Sequence, residues 1–145
     1  MYGAADRRSY GVALEGRLGQ AYNEEAFRYF LEIERKRAVR ARRPVRLLLL
    51  DLKRQAATDA RIDPVLATKL FSGLWLCLRE TDVIGWYRED RVAAAVLNQL
   101  EDGPQSDVSD LIRQRVTGAL CKSLSSDIAR RLRVRVFQLR PGLKG

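Results

Sequence analysis

The chain has no histidine, and its two cysteines, Cys77 and Cys121, stand far apart. Thiol–imidazole catalysis and most zinc sites are therefore excluded, and both cysteines read as reduced core thiols. What chemistry remains lies with arginine and carboxylate. The formal charge of +9 gathers in two stretches, Arg35-Lys36-Arg37 through Arg40, Arg42, Arg43 and Arg46, and then Arg130-Arg131-Leu132-Arg133-Val134-Arg135. Guanidinium groups at that density favour phosphate-bearing partners, whether nucleotides, nucleic acid or acidic lipid. The plainer expectation is a solvated helix end followed by a solvated sheet face. Asp51 directly follows Leu47-Leu48-Leu49-Leu50, which puts a carboxylate at the exit of an apolar strand.

Secondary structure has to position these groups. Asn23 is a good N-cap for a first helix with Glu24 and Glu25 in its opening turn, apolar positions at Phe27, Phe30, Leu31 and Val39, and Pro44 stopping it after Arg43. The leucine run is too short for a helix and apolar on both faces, as a central strand is. Asp63-Pro64 caps a second helix, with Leu66, Leu70, Phe71, Leu74, Cys77 and Leu78 on its buried face, running to about Arg79. Val83 to Tyr87 and Val92 to Leu97 read as a hairpin, although Arg88-Glu89-Asp90-Arg91 lacks the usual glycine or asparagine. After Gly103-Pro104, Ser106 or Ser109 caps a third helix carrying Val108, Leu111, Ile112, Val116 and Leu120, and Leu132 to Leu139 alternates as the last strand.

A chain of 145 residues with 46% hydrophobic content supports one core. The element order predicts an α/β, ferredoxin-like or nucleotide cyclase-type sandwich, with a central mixed sheet, a β-hairpin and helices packed around it. The expected organisation is an extension or linker over 1–17, the domain over 18–140 and a tail over 141–145. No apolar run reaches the roughly 18 residues of a bilayer span, and the N-terminus lacks the apolar segment of a secretory signal, so the expected location is cytoplasmic.

Over about Leu18 to Leu139 the chain resembles the GGDEF family of diguanylate cyclases. Leu18-Gly19-Gln20-Ala21-Tyr22-Asn23-Glu24-Glu25-Ala26-Phe27 is similar to the family's opening motif, L-T-G-L-x-N-R-R-x-F, and Leu47 to Leu52 to its first strand, L-L-L-L-D-L-D. Arg79-Glu80-Thr81-Asp82 matches R-x-x-D, and Leu132-Arg133-Val134-Arg135-Val136 stands for L-T-V-S-I. Counting on from R-x-x-D without a gap, Arg88-Glu89-Asp90-Arg91-Val92 occupies the place of the signature itself. The family's two glycines let the hairpin backbone lie against the nucleotide, and Arg88 and Glu89 put side chains there instead. The acidic fourth residue has become Arg91, and the nucleotide-recognition segment is shortened to Thr58-Asp59-Ala60-Arg61-Ile62-Asp63.

The resemblance therefore implies a catalytically inactive domain, not an enzyme, with no cofactor. No metal is expected. Asp51 and Asp90 resemble the family's Mg²⁺ ligands, but Arg88 and Arg91 can neutralise Asp90, and a strand-end aspartate can serve only to cap backbone N–H groups. In the family R-x-x-D is the inhibitory site for cyclic di-GMP, so the resemblance assigns that ligand to Arg79 and Asp82, with Arg113 of Leu111-Ile112-Arg113-Gln114-Arg115 as the third residue. Arginine can fork onto phosphate or a guanine edge, and the carboxylate accepts from guanine N–H groups. Trp86 and Tyr87 either stack on a ligand or pack beneath helices.

The implied function is cyclic di-GMP sensing relayed to a partner domain, with homodimerisation as a further expectation. The alternative is a dimerisation or docking domain that binds no nucleotide, in a bacterial exopolysaccharide-biosynthesis protein. Nucleic-acid or membrane binding through Arg35 to Arg46 ranks lower, since no aromatic stacking pattern accompanies that run.

Overall fold

The computed structural model describes residues 21–54, 60–78, 83–97 and 105–139. In chain order these form α1 (Glu24–Ala41), β1 (Val45–Leu52), α2 (Pro64–Cys77), β2 (Val83–Arg88), β3 (Val92–Leu97), α3 (Gln105–Cys121), α4 (Ser126–Arg131) and β4 (Leu132–Leu139). The strands make one open sheet in the order β2-β3-β1-β4. Every neighbouring pair in it is antiparallel, which corrects the expected mixed sheet. The reason is topological: each helical crossover returns the chain in the same direction, but β3 lies between β1 and β2, and β1 between β3 and β4. Parallel strands are never neighbours. Among the described residues the one parallel contact is the isolated bridge from Tyr22 to Gly85.

β1 is buried on both faces, as its leucine run requires. Leu48, Leu50 and Leu52 join Ala93, Ala95, Ile84, Trp86 and Val134 against α2 and α3, where Phe71 meets the Trp86 ring edge-on at 5.1 Å. Leu47, Leu49 and Val45 join Val83, Ala94 and Val96 against Phe27 of α1, with Tyr22, Phe30 and Leu31 at the margin. The helices thus form a layer on each face. None of the described helices is long and apolar enough to cross a membrane.

Local chemistry sets most boundaries. Asn23 accepts the Ala26 N–H at 2.9 Å, and Asp63 accepts the Leu66 N–H at 2.8 Å, each satisfying an orphan donor in a first turn. α1 ends at Ala41 rather than after Arg43, because Arg42 turns left-handed at φ 56° and the Arg43 N–H returns to the Ala38 carbonyl at 2.9 Å. Val39, expected on the buried face, is exposed, since among the residues of this helix only Ala26 and Phe27 are fully buried and the charged last turns run out into solvent. Leu111 is likewise exposed, while Val116 and Leu120 carry the buried face of α3. Ser106 and Ser109 are not caps: α3 begins at Gln105, and the Ser109 hydroxyl is occupied by Arg46. The short α4, capped by Ser125 on the Ile128 N–H, was not anticipated.

Gly85 is required by close approach. A Cβ there would run into the backbone oxygen of Tyr22 and lie 2.8 Å from its nitrogen. Tyr22 is held at that point by two bonds of 2.9 Å, from its N–H to the Ile84 carbonyl and from the Trp86 N–H to its own carbonyl. Gly118, in contrast, has nothing within 4 Å of the equivalent position. Urea denaturation should therefore separate the two glycines by sign. Gly85→Ala is expected to destabilise by about 2–3 kcal/mol, and Gly118→Ala to stabilise by about 0.5–1 kcal/mol.

Candidate functional site

The hairpin between β2 and β3 stands where the signature is expected. Asp90 sits at its tip with φ 61°, a conformation aspartate tolerates better than most residues, which is how the turn forms without glycine. The Arg91 N–H closes the turn on the Arg88 carbonyl at 3.0 Å, and the strand pairing slips between Trp86 and Arg88.

The chain itself occupies this tip. The Glu89 carboxylate accepts the Glu24 N–H at 3.1 Å, while the Glu24 carboxylate accepts the Glu89 N–H at 2.7 Å. The first turn of α1 and the hairpin therefore satisfy one another's orphan donors, in the manner of a capping box spread over 65 residues of sequence separation. Arg28 adds a second tie, donating through Nε and Nη2 to the Tyr87 carbonyl at 3.1 and 2.8 Å. Its guanidinium lies 4.4 Å from the centre of the Tyr87 ring and 3.4 Å from Glu24. On the other side the Ile62 N–H donates to the Asp90 carbonyl at 2.8 Å, which anchors the approach to α2. Trp86 is buried against Phe71 and offers no stacking face, and Arg28 lies over one face of the half-buried Tyr87.

Among the described residues, Asp51 is taken up by arginine side chains of β4. Arg133, its direct neighbour across the β1–β4 pair, forks onto it at 3.0 and 2.7 Å, and Arg135 reaches the same carboxylate at 3.3 Å. That double pairing with Asp51 raises the Arg133 pKa above the ordinary arginine value. A carboxylate neutralised by two guanidiniums has little left to offer a hard cation. Among the described residues no group of three or more acidic, cysteine or histidine side chains could hold a metal ion.

Arg113 is on the exposed side of α3, paired to Asp110 at 3.2 Å one turn back. Arg79 and Asp82 lie outside the described residues, as do Thr58, Asp59, the first three residues of the opening motif, the 1–17 extension and the 141–145 tail. Both cysteines are free and half-buried; burial pushes the Cys77 thiol up and Arg115 partly offsets it, which disfavours the reactive thiolate. The residues that motif matching missed are Glu24, Arg28 and Glu89 acting together and the buried Arg46, whose partners come from distant parts of the chain. The chain matches no protein-family model, and no curated protein matches it.

Burial raises the Glu89 carboxyl above the usual range; Asp90 and Glu24 add to this, while the N–H from Glu24 opposes it. An acid with a raised pKa in the folded state binds its proton more tightly folded than unfolded. Its contribution to stability grows as pH falls through the raised value and is lost above it. Glu89→Gln, which keeps an oxygen for the Glu24 N–H, should therefore be at least as stable as the wild type at pH 7. Its advantage should shrink as pH is lowered into the carboxylate range in thermal melts. A Glu89→Gln deficit that is constant with pH would contradict this.

Proposed function

We propose that the chain is a catalytically inactive GGDEF-like signalling domain on a ferredoxin-like, nucleotide cyclase-type sandwich. In this reading it binds cyclic di-GMP through Arg79, Asp82 and Arg113 and relays binding to a partner domain. The strand order β2-β3-β1-β4, with a helix between β1 and β2 and another between β3 and β4, supports the ferredoxin-like part of this reading. The observation that carries the inactive part is the closed hairpin. Glu89, in the place of the second signature glycine, is bonded both ways to Glu24, so the backbone a nucleotide would lie against is already covered. Asp51, one of the two metal-ligand candidates, is spent on Arg133 and Arg135.

The binding part is supported by how α2 and α3 run. Gly73 packs against Leu120, and four residues further along α2 Cys77 lies in the field of Arg115, so the two helices are antiparallel. The C-terminal end of α2 accordingly advances toward the part of α3 that carries Arg113. The pairing of Arg113 to Asp110 is solvent-exposed and worth only about 0.3 kcal/mol, so a phosphate could readily take the guanidinium over.

Calorimetric titration with cyclic di-GMP, and separately with GTP and Mg²⁺, tests both parts. Micromolar or tighter binding of the cyclic dinucleotide is expected, with loss in the Arg79→Ala/Asp82→Ala double variant and no GTP turnover. Unchanged affinity in the double variant would overturn the binding assignment. Cyclisation of GTP would overturn the inactive one.

A further inference from the structure

β1 alternates strictly between the two faces of the sheet, and period two places Arg46 with Leu48, Leu50 and Leu52 on the side covered by α2 and α3. Expected as part of a solvated basic stretch, Arg46 is instead 1% exposed. Its Nε donates to Ser109 Oγ of α3 at 3.2 Å. Its buried Nη1 has no hydrogen-bond partner among the described residues. Burial lowers the pKa of this guanidinium, and among the described residues no carboxylate pairs with it.

A guanidinium cannot escape that position by losing its proton, and a buried cation without a counter-charge is costly. Two of the described groups near it can donate a hydrogen bond. Ser109 Oγ accepts from Arg46 and retains its own hydrogen to donate. Gln138 of β4 is directly across from Arg46 in the strand register, so its half-buried amide shares the same face. Arg42 and Arg43, exposed at the junction into β1, add positive potential at this end of the strand.

We propose that Arg46, Ser109 and Gln138 form a binding site for a single phosphoryl group, taken as free phosphate or as the monoester of a small molecule. Three donors contributed by β1, α3 and β4 suit a tetrahedral oxyanion, with the guanidinium supplying the charge. A polymer backbone is disfavoured because the guanidinium is enclosed between sheet and helix rather than displayed on a surface. The site uses none of the residues assigned to cyclic di-GMP, so either assignment can fail without the other.

Thermal melts of the 145-residue chain in inorganic phosphate, against sodium chloride at matched ionic strength, provide the test. The wild type should gain melting temperature saturably with phosphate alone. Arg46→Met should melt cooperatively without phosphate, at a temperature no lower than the wild type, and show no phosphate response. Ser109→Ala, which leaves the strand untouched, should weaken phosphate about tenfold. Glycerol phosphate run alongside separates the two sources: tighter binding than phosphate indicates a monoester, equal or weaker binding indicates free phosphate. Identical wild-type melts in phosphate and chloride overturn the proposal, as does a phosphate response that survives in Arg46→Met. Should Arg46→Met not fold, Ser109→Ala decides, and an unchanged phosphate affinity in it overturns the site.

Discussion

Everything in this fold is arranged around a strand that has no solvent face. Leu47 to Leu50 are apolar in both directions of the pleat, so β1 has to be covered by a helical layer on each side and flanked by a strand on each edge. That requirement puts α1 on one face, α2 and α3 on the other, and makes β3 and β4 its neighbours. It also fixes where polar groups on β1 can go. Asp51 lies near the end of the strand, where the β4 register delivers Arg133 and Arg135 to it. Arg46 does not reach solvent, and its charge is carried into the interior.

The hairpin follows from the same arrangement. β3 must lie beside β1, so the β2–β3 tip emerges next to the start of α1, whose first-turn N–H groups need acceptors. Glu89 supplies one, and Glu24 returns the bond. Each of these bonds is modest alone, but four backbone groups at or beside the tip are committed to the chain: the Glu89 N–H and the Tyr87, Arg88 and Asp90 carbonyls. A loop whose donors and acceptors are satisfied internally is a poor place to bind and transform a nucleotide. This is the physical content of the proposal that the domain is catalytically inactive.

What the sequence made legible was local. Asn23 and Asp63 declare helix starts because a cap acts within three residues, and the bounds of β4 follow from its alternation. The position of the hairpin was legible from two apolar runs, while its left-handed turn was not, because aspartate at φ 61° leaves no glycine or asparagine to signal it. What escaped was long-range. Ser109 has the composition of a cap but serves Arg46, 63 residues away. Arg46 itself looked like one more surface arginine, since only the register of β1 decides which way it points. The antiparallel order of every neighbouring pair depends on which strand inserts between which, and no segment carries that information by itself.

The closed hairpin is most directly tested by native-state amide hydrogen exchange at Glu24, Ile62 and Glu89, with and without GTP and Mg²⁺. All three amides donate to groups of the chain at 3.1, 2.8 and 2.7 Å, so they should be protected in the free protein and unaltered by nucleotide. Fast exchange of the Glu89 amide in the free protein, with protection appearing only when GTP and Mg²⁺ are added, would show a tip that is open and waiting for substrate, and would contradict the account.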